Sequence, residues 1–197
     1  MIRIAIFASG SGTNAENIVS HFADSKLAII QGVFTNNQKA GVIKRVSKYN
    51  IPCEIFSKVD LETPNVLLSK LESKKIDFII LAGFLLLIPK EVIKKFKEKI
   101  INIHPALLPL HGGKGFYGNN VHRAVIKSGA IMSGITIHQV NEKFDEGEII
   151  FQAGCHVSKT ETEESLAVKI QTLEYTYFPV VIEKLIRNLN FNKPKPI

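Results

Sequence analysis

DFIILAG, residues 77–83, is a nearly continuous apolar run bounded by an aspartate and a glycine. It is too short for an ordinary helix, and it lacks the alternation of a strand with one wet face. Such a run fits a strand covered by helices on both faces, as in a parallel sheet. Working outward, strand and helix patterns alternate. IRIAIFA (2–8), LAIIQGVFT (27–35) and PCEIFS (52–57) read as strands. NAENIVSHFAD (14–24), AGVIKRVSKYN (40–50) and NVLLSKLESKK (65–75) read as the helices between and after them. Pro89 suits the first turn of a further helix, and KIINIH (99–104) reads as a fifth strand. Repeated βα units predict an α/β fold with a mainly parallel, twisted sheet and helices on both faces.

Beyond residue 110 the pattern changes. A glycine-rich loop, HGGKGFYGNN (111–120), precedes a short helix, VHRAVIKSG (121–129). SGITIHQV (133–140) and EIIFQAGCHV (148–157) then read as two strands joined through NEKFDEG (141–147), which predicts a hairpin and an antiparallel C-terminal strand. A long helix is expected from about residue 163 to 188. We expect a single domain over residues 1–190 and a frayed tail over 191–197, with no repeat or linker.

The 197 residues carry a net charge of +7 and are 45% hydrophobic, ordinary for a globular chain. Apart from VIKKFKEK (92–99) and NKPKP (192–196), the lysines and arginines are dispersed, which suits a solvated surface and small anionic substrates better than nucleic acid. Cys53 and Cys155 form no metal-ligand spacing, which predicts a reducing compartment and no metal. The longest apolar run, residues 78–88, is well short of the ~20 residues a membrane helix needs. The N-terminus shows no signal-peptide pattern, so the expectation is a cytoplasmic protein with no membrane partner.

Three places carry candidate chemistry. In FASGSGTNAENI (7–18), Gly10 and Gly12 join the first strand to the first helix. Glycines there let backbone approach a ligand, while Ser11, Thr13 and the helix N-terminus offer donors to a phosphate. Ala15 breaks a GxGxxG spacing and no GK[ST] follows, so a phosphate monoester held by Gly12, Thr13 and Asn14 fits better than a dinucleotide. The plain alternative is a tight turn with Thr13 or Asn14 capping the helix. In NIHPALLP (102–109), Asn102 and His104 alternate on a strand and therefore share a face. That strand ends where ligands bind in open α/β sheets. A histidine making only a structural hydrogen bond is the competing reading. Asp145 follows in a turn near Gly147, from which its carboxylate could orient a histidine, although aspartate beside glycine is also a common turn former. His138 lies nearby on the sixth strand.

FASGSGTN, LAGF, NIHPALLP, VHRAVI, SGITIHQVNEKFDEGEIIFQA and QTLEYTYFP occur here in the order found in the folate-dependent formyltransferase family. Over nearly the whole chain the sequence resembles the phosphoribosylglycinamide formyltransferases. The resemblance implies a Rossmann-like formyltransferase fold. It also implies transfer of a formyl group from 10-formyltetrahydrofolate, a cosubstrate, to the amine of glycinamide ribonucleotide in purine biosynthesis. Asn102, His104 and Asp145 match the catalytic trio. Gly12, Thr13 and Asn14 match the phosphate loop, and Glu174 matches a residue near the glycinamide end. Leu85, Leu86, Leu87 and Ile88, with Asn102 and with Asn141, Glu142, Lys143, Phe144 and Asp145, match folate-binding segments. A direct attack by the amine would need donors at the developing oxyanion, but no metal and no covalent enzyme intermediate. A monomer or a homodimer would suit this chemistry.

The chain departs from the family pattern in three places. Many members carry an arginine after LAGF, where Leu86 makes this wall apolar. SKVDLETPN (57–65) offers Lys58 as its only cation on the folate side. The loop containing HGGKGFYG (111–118) is longer than usual and reads as a mobile surface loop rather than a lid. Formyltetrahydrofolate hydrolase and methionyl-tRNA formyltransferase are similar alternatives, each expected to carry a further domain. A dinucleotide oxidoreductase lacks its acidic residue after the second strand (VFTNN, 33–37).

Overall fold

A computed structural model of the chain describes residues 1–63 and 65–191. Its seven strands are β1 (Ile2–Phe7), β2 (Ala28–Thr35), β3 (Cys53–Ile55), β4 (Phe78–Leu81), β5 (Ile100–His104), β6 (Met132–Gln139) and β7 (Ile149–His156). They form one sheet in the order β3-β2-β1-β4-β5-β6-β7. β1 through β5 pair in parallel, whereas β6 is antiparallel to both β5 and β7. The reversed strand is therefore β6, and β7 again runs with the parallel set.

DFIILAG supplies β4 at the middle of the sheet, and its burial explains its composition. Phe78 and Ile80 enter one core with Ile18, Val42, Phe178 and Ile182, while Ile79 and Leu81 enter a second core with Leu67, Leu71 and Val92. The first core is covered by α1 (Thr13–His21), α2 (Gly41–Ser47), α6 (Asn119–Lys127) and α7 (Glu163–Phe191). The second is covered by α4 (Val66–Ser73) and α5 (Lys90–Lys95). Within it, Phe7 stacks on Phe34 at 5.0 Å and meets Phe84 edge-on at 5.3 Å. Truncating Phe84 to alanine would cost about 3–5 kcal/mol. It would also loosen the segment after β4, which Phe84 anchors.

α3 (Lys58–Glu62) was not foreseen from the pattern, because it buries no residue. A capping box holds it instead. The Ser57 side chain accepts from the Asp60 amide, and the Asp60 carboxylate accepts from the Ser57 amide at 2.6 Å. In α7, Pro179 has no N–H to donate to the Tyr175 carbonyl one turn back. Asn17 Nδ2 of α1 takes that place, donating to the Tyr175 carbonyl at 3.0 Å. The proline thus turns a helix interior into a docking point for α1.

Among the described residues no helix is long and apolar enough to cross a membrane. α7 is described as far as Phe191, and the rest of the expected tail lies outside the described residues.

Candidate active site

The sheet order reverses direction between β1 and β4, and a cavity of about 770 Å³ opens at the carboxyl ends of those strands. The loop after β1 and the segment after β4 are tied together there. The Ser9 amide donates to the Gly83 carbonyl at 3.0 Å, and the Leu85 amide donates to Ser9 Oγ at 3.1 Å.

Gly12, Thr13 and Asn14 line the cavity beside Ser11. The reason for a glycine at 12 differs from the expected one. Gly12 is the N-cap of α1 with φ +77°, and a Cβ there would run into Val42 of α2. Backbone conformation and helix packing require the glycine before any ligand does. Neither Thr13 nor Asn14 caps the helix, because the N-cap has no side-chain hydrogen bond. The first-turn amides of α1 thus have no intrahelical partner. Asn14 Nδ2 instead donates to Glu174 Oε2 on α7 at 2.8 Å. Burial raises the pKa of Glu174 above the usual carboxylate range, and the Asn14 donor only partly offsets this.

On β5, Asn102 and His104 lie on the face opposite Ile101 and Ile103, whose side chains enter the first core. Asn102 is opposite His138 in the β5–β6 register, and its Nδ2 lies 3.1 Å from His138 Nε2 and 3.4 Å from Asp145 Oδ1. His138 Nδ1 lies 2.7 Å from the Gln139 carbonyl oxygen, which can only accept, so its proton sits on Nδ1. Nε2 faces both Asn102 Nδ2 and Asp145 Oδ1, the latter at 3.6 Å. His138, noted only as a neighbour in the sequence, is thus part of the cluster.

Asp145 arrives from the β6–β7 connection in a left-handed conformation, φ +56°. Two residues on, a Cβ at Gly147 would run into the Gln139 carbonyl, so the tight hairpin depends on that glycine. Asp145 Oδ2 lies 3.4 Å from His104 Nδ1 and accepts from the Gly113 amide at 2.9 Å. Burial pushes the Asp145 carboxyl up, but His138, the His104 ring and the Gly113 amide outweigh it and hold the carboxyl below its usual range. His104 is only 3% exposed, and burial is the main influence lowering its pKa, against the raising effect of Asp145.

The 110–118 loop is built into this cluster rather than standing off as a surface loop. His104 Nε2 donates to the His111 carbonyl at 2.8 Å, and Gly113 holds Asp145. Both contacts use backbone groups, which the sequence could not display. Lys114 and Tyr117 of the same loop also line the cavity.

Leu85, Leu86, Leu87 and Ile88 form an apolar wall with Asn141, Lys143 and Phe144 beyond it. Glu142 is not on this wall, and its carboxylate pairs with Lys90 at 3.1 Å. Lys58 is not on it either, being on α3 with Glu62 3.4 Å away. His122, Gln171 and Ala167 line the cavity without having been anticipated. Among the described residues no group of His, Cys, Asp and Glu is arranged to hold a metal ion.

The chain is 38% identical over 186 residues to an Arabidopsis thaliana protein described as phosphoribosylglycinamide formyltransferase, chloroplastic. That alignment covers 91% of this chain, which spans 64% of the plant protein's length. It is 31% identical over 191 residues to the phosphoribosylglycinamide formyltransferase of Bacillus subtilis, covering 94% of this chain and 95% of that one. The crystal structure of the enzyme of that name from Bacillus halodurans superposes with a TM-score of 0.84 at 33% identity, covering 93% of this chain and 95% of its own. The formyl transferase family model matches residues 2–182, from β1 well into α7, so the cavity and every residue around it fall within the match and the chain belongs to the formyl transferase family.

Proposed function

We propose that this chain transfers the formyl group of 10-formyltetrahydrofolate to the amine of glycinamide ribonucleotide, a step of purine biosynthesis. One observation carries the reading. Asn102, His104 and Asp145 converge on a single cavity that also carries a donor-rich glycine loop and an apolar wall. The first-turn amides of α1 suit a phosphate. The Leu85–Ile88 segment, with Leu85 and Leu87 exposed, suits an aromatic heterocycle. The relatives' description as phosphoribosylglycinamide formyltransferases supports formyl transfer to that ribonucleotide.

The amine nitrogen attacks the formyl carbon, forming the new C–N bond as the carbonyl electron pair moves to oxygen. Asn102 Nδ2 and the protonated His104 ring donate to that oxygen, the stabilisation such oxyanions need. His104 does so when Nε2 exchanges the His111 carbonyl for the substrate oxygen. Asp145 stabilises the imidazolium and, through water, helps move a proton from the attacking nitrogen to N10 of the folate. The C–N10 bond then breaks, the carbonyl re-forms, and tetrahydrofolate leaves as a neutral amine.

An initial-rate assay tests this by following tetrahydrofolate release with both substrates present. Release should require the ribonucleotide. Folate cleavage to free formate without it, or formylation of methionyl-tRNA in its place, would overturn the reading.

A further inference from the structure

Three buried side-chain polar atoms among the described residues have no hydrogen-bond partner: Asn14 Oδ1, His122 Nδ1 and Ser133 Oγ. Two of the three belong to residues that line the cavity, Asn14 from α1 and His122 from α6. His122 is the less expected of the two. The residue is 6% exposed, and no hydrogen bond reaches either ring nitrogen. Packing does not explain an imidazole there. Val121 and Val125 already bury the α6 surface, and a leucine would fill similar volume without a desolvated nitrogen.

We propose that His122 is a specificity-determining residue that donates a hydrogen bond from Nε2 to an uncharged oxygen in the ribose–glycinamide part of the ribonucleotide. This rests on the ribonucleotide reading above. Nδ1 is sealed from solvent and has nothing to accept its proton. An orphaned buried N–H is rarer than an under-used acceptor, so the neutral ring carries its proton on Nε2, the nitrogen left for the cavity. The ring is neutral rather than cationic. Burial depresses its pKa most, the nearby His104 lowers it further, and Glu163 opposes both. Glu163 does not pair with it, because Arg123 already holds that carboxylate at 2.9 and 3.1 Å. A neutral donor matches a hydroxyl or amide oxygen, whereas a phosphate would favour a cation or the α1 amides. Gln171 and Glu174 from α7 line the same cavity and bring no positive charge to it.

The test pairs His122→Leu with His122→Gln, which keeps a donor. Each variant is titrated with glycinamide ribonucleotide and, separately, with the folate, and its Tm is measured. In His122→Leu we expect ribonucleotide affinity to fall by about tenfold. Folate affinity should hold, kcat should change less than KM, and Tm should be equal or higher. His122→Gln should recover part of the affinity. Undiminished ribonucleotide affinity in folded His122→Leu, or a parallel loss for both ligands, would overturn the inference alone. Failure of the unaltered protein to bind the ribonucleotide would overturn the functional reading and this inference together.

Discussion

His104 Nδ1 and Asp145 Oδ2 face each other at 3.4 Å, while the opposite ring nitrogen of His104 donates to the His111 carbonyl. The ring therefore sits between two acceptors. Only the doubly protonated imidazole can donate to both, yet burial disfavours that charge. This opposition makes His104 a ring that gains its second proton most readily when negative charge develops beside it.

Replacing His104 with alanine should lower turnover by roughly two to four orders of magnitude, the range for loss of an acid–base or oxyanion group. Ribonucleotide binding should change little, since the phosphate is assigned to the opening loop. Near-normal turnover in a folded variant would return His104 to a purely structural role.

Asp145→Asn separates charge from shape. The position is left-handed, where asparagine is as comfortable as aspartate, so the hairpin should survive. Turnover should still drop by roughly a hundredfold, because the carboxylate that stabilises the His104 imidazolium is gone. Unchanged activity would make Asp145 only a turn former.

Two positions in the opening loop respond differently. Any side chain at Gly12 meets Val42 and a strained φ, so substitution there should lower Tm and affect both ligands alike. Thr13→Val removes one hydroxyl at constant shape. Isothermal titration should show a loss of roughly tenfold in ribonucleotide affinity with folate binding intact. Equal affinity would place the phosphate elsewhere, with Lys114 the next residue to replace.

Asn17 never reaches the cavity, but it docks α1 on α7 beside the Asn14–Glu174 contact. Asn17→Leu should therefore raise the KM for the ribonucleotide more than it lowers kcat. The Tyr175 carbonyl loses its donor in this variant, but the contact is exposed and water can take its place, so Tm should change little. A variant with normal KM would show that the loop is positioned without this contact.

The pH dependence of stability has a defined sign. His104 and His122 both have pKa values lowered from the usual 6.5, with burial the largest cause. Below that pH the unfolded chain binds protons that the folded rings resist, so stability falls as pH falls. Asp145, also depressed, adds a loss only at more acid pH, below about 3.8. Melting curves from about pH 7.5 to 5.5 should show a declining Tm, with a shallower decline in His104→Asn. An equal slope in the two proteins would contradict the assignment.

The fold was largely legible because burial left its mark on residue choice. β4 is apolar on both faces since each face enters a core, and the βα alternation followed from that. α3 escaped because it buries nothing, although its capping signal, Ser57 with Asp60, was present in SKVD. The Asn102–His104 pair could be read from strand periodicity, and Asp145 from its turn. The roles of His111 and Gly113 could not, since they act through backbone atoms. Glu142, taken with its neighbours from the family pattern, points instead to Lys90.

The most direct measurement follows the formyl carbon itself. The protein is mixed with 10-formyltetrahydrofolate carrying a carbon-13 formyl group and with glycinamide ribonucleotide, and the label is tracked by NMR. The account predicts that the label moves onto the glycinamide nitrogen as tetrahydrofolate appears in equal amount, with none on the protein, and that Asp145→Asn slows this transfer without redirecting it. Label appearing as free formate, or attached to the protein, would contradict it.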